Sequence, residues 1–135
     1  LYIYQRFIKD YVRCIDGLDD QIGRILDYLD QNKLSKNTLL IYSSDQGFFT
    51  GEHGWAEKRW MYEESFKSPL IMRWPGTISP SSKIVKLVQN IDLAPTLLKA
   101  ACLPVPNTVH GLALQPLFSN DSDIPWRKDI LYQYF

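Results

Sequence analysis

The sequence predicts an α/β fold: a mainly parallel sheet flanked by helices. Three observations lead there. A long amphipathic segment comes first, a short run apolar on both parities follows it, and a glycine-punctuated polar loop begins where that run stops. Open α/β sheets place their sites beyond the carboxyl ends of strands, so the loop after the first strand is where function is expected.

Residues 2–32 read as one helix. Phe7, Tyr11, Ile15, Leu18, Ile22, Ile25 and Leu29 recur at steps of three and four and so share one stripe. Asp10, Asp16, Asp19, Asp20 and Asp27 fall mostly on other faces and read as a solvated surface rather than a metal cluster. Asn32-Lys33 ends the helix, and Ser35-Lys36-Asn37 makes the turn into Thr38–Tyr42, a strand apolar on both faces. Lys58 to Phe66 suits a short helix or helical turn. Ser68-Pro69 then opens a second strand, Leu70 to Trp74, closed by a turn at Pro75-Gly76. Ile84 to Val88 is a candidate third strand. Asp92 suits the N-cap of a helix that carries Pro95 in its first turn. Beyond Pro104 the chain is turn-rich. Asn120-Asp121-Ser122-Asp123 lacks the glycine and terminal glutamate of an EF-hand and reads as linker. Ile130 to Phe135 is a last strand-like run.

With 135 residues, 45% hydrophobic and 13% aromatic, the chain is long enough for one domain with a real core. Fifteen basic and fifteen acidic residues leave no whole-chain field for nucleic acid, so any anion site must be local. No run of about 18 apolar residues predicts a membrane span. Cys14 and Cys102 lie in apolar helical surroundings without metal-ligand spacing and read as two buried thiols. The chain starts at Leu1 with no visible signal peptide, which reads as a missing N-terminus and leaves secretion open.

The chemistry concentrates in Ser43-Ser44-Asp45-Gln46-Gly47 and the loop that follows it, Gly51-Glu52-His53-Gly54-Trp55-Ala56-Glu57-Lys58. Asp45 and Gln46 are adjacent oxygen donors at a strand end, a set that suits a hard cation such as calcium. Lys58, thirteen positions after Asp45, adds a compact positive charge for an anionic group. On spacing alone, ordinary Asp-x-Gly turn chemistry is the plainer reading.

The segment resembles the metal-and-anion loop of the type I sulfatases of the alkaline-phosphatase superfamily. Their pattern runs Ser/Thr-Asp-(Asn/His/Gln)-Gly, Gly-Glu-His/Arg-Gly, a Lys thirteen residues after the Asp, Tyr/Phe-Glu, then Pro. Asp45-Gln46, Gly51 to Gly54, Lys58, Tyr62-Glu63 and Pro69 follow it, and Lys67 stands where many relatives carry Arg. The likeness runs from about Tyr11 to Phe135. It implies a fragment of an alkaline-phosphatase-like sandwich, residues 1–135 being part of a sulfatase catalytic domain. It implies Asp45 and Gln46 as ligands of Ca2+ (or Mg2+), Lys58 as the catalytic, sulfate-holding residue, and Glu63 as a loop brace. It also implies a sulfated carbohydrate or other sulfate ester as partner, and a periplasmic, secreted or lysosomal location.

His53 reads as loop structure or substrate contact rather than general acid, since relatives carry Arg there. Arg59, with Trp55 and Trp60, suits a sugar subsite; core packing is the equal alternative for the tryptophans. His110 reads as a packing histidine. Glu63 and Glu64 point different ways on a helix, which argues against a glycosidase pair.

The family's nucleophile is a formylglycine made from Cys or Ser in Cys/Ser-x-Pro/Ala-x-Arg. Neither Cys14-Ile-Asp-Gly-Leu nor Cys102-Leu-Pro-Val-Pro fits that motif. The chain therefore carries half a site and is expected to be inactive alone. Three functions stay open: a sulfatase, a phosphodiesterase or phosphonate monoester hydrolase of the same superfamily, and a non-catalytic α/β binding fragment.

Overall fold

The computed structural model describes residues 2–119 and 123–133. It divides after Pro75 into two compact units.

The first unit begins with helix α1, Tyr2–Gln31, as the periodicity predicts. Its acids are solvated; Asp10 pairs with Arg13 at 2.8 Å. The end of α1 is built by backbone geometry. Lys33 adopts φ 58°, which lets its N–H reach the Asp30 carbonyl and the Leu34 N–H reach the Leu29 carbonyl. This paired closure is the Schellman arrangement, made here with lysine where glycine is the usual residue.

Strand β1, Leu40–Ser43, then enters, and β2, Phe49–Thr50, pairs antiparallel with β3, Ala56–Glu57. Helix α2, Glu63–Phe66, precedes β4, Leu70–Arg73. The expected parallel sheet is not there. Among the described residues the strands form two antiparallel two-stranded sheets, and most of the regular structure is helical. β1 and β4 run in opposite directions, with Leu40 opposite Arg73 and Ser43 opposite Leu70. The reason is the connection. Residues 44–69 leave from the carboxyl end of β1 and return at that same end, whereas a parallel partner needs a crossover back to the start. The chain's apolar runs fit either direction.

The second unit is organised by helix α3, Leu93–Ala100, preceded by a 3-10 turn at Asn90–Asp92. Its core is Leu114, Leu117, Pro95 and the polar pair Asp92 and Thr96. Asp92 occupies the predicted N-cap position, yet its side chain makes no cap bond to α3. The carboxylate instead accepts the N–H groups of Gln89 (2.8 Å) and Leu112 (2.7 Å) and both terminal nitrogens of Arg127 (2.5 and 2.7 Å). Burial pushes this carboxyl up, but Arg127 and the two amides together hold it below the ordinary carboxylate value. Thr96 continues the network, donating to the Asp92 carbonyl and accepting the Leu114 N–H. Gly111 permits this closure, since a Cβ there would lie 2.0 Å from the Ile91 carbonyl oxygen. α3 ends as α1 does, with Cys102 at φ 56° and the Leu103 N–H bonded to the Leu98 carbonyl.

Ile84 to Val88 and Ile130 to Gln133 form no strand, because neither run pairs with another among the described residues. Tyr134 and Phe135 lie outside the described residues, as do Asn120 to Ser122 of the expected linker. Cys14 and Cys102 are exposed, not buried. Cys14 sits on a helix with no buried residue, and Cys102 sits in the turn after α3. His110 is exposed as well, and so is not a packing residue.

Candidate functional site

The site is built outward from the end of β1. Asp45 is exposed in the bend that follows directly, and Gln46 is half-buried beside it. The Ser44 hydroxyl lies 3.3 Å from Asp45 Oδ1 and 2.8 Å from the Gln46 carbonyl oxygen, tying the two residues into one bend. One carboxylate and one amide fit part of a calcium site, which takes six to eight oxygens. No group of three or more His, Cys, Asp or Glu residues converges among the described residues.

Gly47 has a clear steric role. Its N–H donates to the Ser65 carbonyl at 2.8 Å, and a Cβ at this position would sit 2.0 Å from the Glu64 carbonyl oxygen. The loop carrying Asp45 is thus pressed directly onto the backbone of α2. Ser65 is itself buried, and its hydroxyl accepts the Arg59 N–H at 3.3 Å. One short helix therefore holds both the Asp45–Gln46 bend and the Lys58–Arg59 segment.

An aromatic cluster underlies the intervening loop. Phe49 is fully buried, with Trp55, Tyr62 and His53 around it at ring separations of 6.0–6.2 Å. The His53 ring lies 4.5 Å from that of Tyr62, and Nε2 is 3.4 Å from a Glu64 carboxylate oxygen. Trp60 meets Trp55 edge-on at 4.3 Å and remains 48% exposed. Lys58 and Arg59 are exposed. Glu52 anchors the turn by accepting the Thr50 N–H and hydroxyl; backbone hydrogen bonds, its own N–H first and then that of Thr50, hold its carboxyl below the ordinary value.

The loop carries backbone strain. His53 (φ 57°) and Glu57 (φ 80°) hold left-handed conformations, each of which costs a non-glycine residue about 1–3 kcal/mol. Such strain persists only where the surroundings dictate it, and here it flanks Lys58.

Sequence reasoning named Asp45, Gln46, His53, Lys58 and Arg59, and all five lie on the two segments that α2 braces or on the turn between them. It missed Glu64 and Ser65. The signal for Ser65 was slight, a small polar residue in an aromatic-rich stretch. For Glu64 it was the acid count of that stretch, where Glu63 drew the bracing role. Glu63 contributes its backbone carbonyl, which accepts the Lys67 N–H at 2.8 Å.

Comparison with known proteins adds to this geometry. Residues 51–135 match the family described as N-sulphoglucosamine sulphohydrolase, C-terminal. N-acetylglucosamine-6-O-sulfatase of Bacteroides thetaiotaomicron is 42% identical over 134 residues, which is 98% of this chain and 24% of that protein. A solved structure of a protein in complex with its substrate D-glucosamine-2-N,6-O-disulfate matches with a TM-score of 0.92 and 42% identity, over 98% of this chain and 27% of that one. The phosphonate monoester hydrolase of Silicibacter pomeroyi matches at a TM-score of 0.74 and 32% identity, over 81% of this chain and 21% of that one. The chain thus spans about a quarter of the length of the relatives it matches. On these similarities, it belongs to the sulfatase family.

Proposed function

We propose that this chain is the C-terminal part of the catalytic region of a carbohydrate sulfatase, a sulfuric ester hydrolase acting on a sulfated amino sugar. The observation that carries the reading is the match, over 98% of the chain at a TM-score of 0.92, to a protein bound to D-glucosamine-2-N,6-O-disulfate. The site supports it. Asp45 and Gln46 are the residues that would hold a calcium ion, whose charge would draw electron density from the sulfate oxygens. Lys58 holds the sulfate and stabilises charge on the leaving oxygen. Arg59 and the half-exposed face of Trp60 take the sugar, the guanidinium meeting a second anionic group and the indole a ring face. The formylglycine nucleophile and the other ligands belong to the remainder of the enzyme, and this portion alone is inactive.

The likeness to a phosphonate monoester hydrolase favours one alternative, a phosphoryl group in place of sulfate. Assays of the full-length enzyme on a 6-O-sulfated glucosamine, an aryl sulfate and an aryl phosphonate separate the two. Preference for the sulfated sugar, abolished by chelation and restored by calcium, is the expected result. Preference for the phosphonate transfers the site to phosphoryl chemistry.

A further inference from the structure

The interaction between His53 and Glu64 is not needed to hold α2 against the loop, because Gly47 and Ser65 already do that through backbone and hydroxyl bonds. Its geometry is nonetheless specific. His53 is pinned in a left-handed conformation, its ring lies against Tyr62 at 4.5 Å, and a carboxylate sits 3.4 Å from Nε2. Both side chains retain solvent access, at 45% for His53 and 30% for Glu64. The ring is therefore oriented by its backbone and two neighbours while staying exposed to solvent. The other acid near this ring is Glu52, the preceding residue in the same turn, which is occupied by the Thr50 N–H and hydroxyl.

We infer that Glu64 is a positioning residue: it orients His53 so that the exposed ring, on the loop that leads to Lys58, contacts a second anionic group of the substrate. This rests on the sulfatase reading above and deepens it. Lys58 addresses the sulfate that is cleaved, whereas the Glu64–His53 pair reads an anion that stays on the sugar. The pair sharpens substrate choice and leaves the chemical step to other groups, so its loss appears in KM more than in kcat.

The test uses the full-length enzyme with Glu64→Gln, His53→Ala and the double variant, each assayed on N,6-O-disulfated glucosamine and on 4-nitrophenyl sulfate. Glutamine keeps the shape of the side chain and removes its charge. For a partly exposed pair, Glu64→Gln should raise KM on the disulfated sugar about two- to fivefold. The effect on kcat, and on the aryl sulfate, should be smaller. Because Glu64 acts through His53, adding Glu64→Gln to His53→Ala should raise KM no further. An undiminished KM increase in the double variant would make Glu64 a structural brace and overturn the inference. So would wild-type KM in the single Glu64→Gln variant, or equal losses on both substrates. If the wild-type enzyme cleaves neither sulfate, the sulfatase reading itself fails and this inference goes with it.

Discussion

Asp45 and Asp92 are both carboxylates next to a turn, yet their surroundings have opposite character. Asp92 is fully buried and gathers four donors, two amides and both ends of the Arg127 guanidinium, all from the second unit. Asp45 is exposed in a bend after β1, with the Ser44 hydroxyl beside it at 3.3 Å. The first is an internal staple that ties Asp92 to stretches of chain 20 and 35 residues further along. The second faces outward on a loop braced from behind by α2. A carboxylate enclosed by its own chain serves stability; the other stands exposed on a braced loop.

The largest effect should come from breaking the staple. Arg127→Ala leaves Asp92 as a buried charge without its cation, a change that typically destabilises by about 3–5 kcal/mol. Urea denaturation should show it as a lower midpoint. The acid dependence gives a second reading. The Asp92 carboxyl is held below its ordinary value in the folded protein, so its contribution is fully present above the unfolded value, about pH 4, and is lost as the pH falls through the lower folded value. Arg127→Ala should therefore also flatten the loss of stability below about pH 4. An unchanged acid limb would show that Asp92 does not act as the staple described.

The outward loop should respond in the opposite way. In the full-length enzyme, Lys58→Ala should lower kcat on a sulfate ester by about 10²–10³, the worth of one preorganised electrostatic donor. The melting temperature should barely move, because Lys58 is exposed. A near-wild-type kcat/KM would remove Lys58 from the chemistry. Loss of activity together with stability would place it in the fold, and the contrast between the two regions would fail.

How much of this was legible in the sequence follows the range of the interactions. The stripe of α1, the strand into Asp45 and the loop to Lys58 are local patterns, and they were readable. Strand direction was not. Leu39-Leu40-Ile41-Tyr42 is apolar on both parities, which fits a parallel or an antiparallel neighbour, and only the return path of residues 44–69 decides. Asp92 was placed at the right helix end and given the wrong partners, because Arg127 lies 35 residues away and periodicity carries no trace of such a pair. The same holds within the site. Gly47 was readable as the glycine of an Asp-x-Gly turn, but that its neighbour is the carbonyl of Glu64 becomes visible only once α2 is in place.

The smallest expected effect ignores the contrast altogether. The two longer helices close with a left-handed residue that carries a side chain, Lys33 after α1 and Cys102 after α3. For an L-residue this conformation costs about 1–2 kcal/mol, which glycine avoids, while glycine gives back about 0.4–1 kcal/mol through its freer unfolded chain. Lys33→Gly and Cys102→Gly should therefore each stabilise by about 1 kcal/mol or less. The two gains should be similar, since the closing bonds are alike: 2.8 Å from Leu34 to Leu29 and 2.9 Å from Leu103 to Leu98. Alanine at either position keeps the Cβ and should give no gain, so the glycine–alanine difference isolates the backbone from any lost side-chain contact. If Cys102→Gly stabilises and Lys33→Gly does not, the lysine side chain contributes to the end of α1 beyond its backbone, and that closure differs in kind from its counterpart after α3.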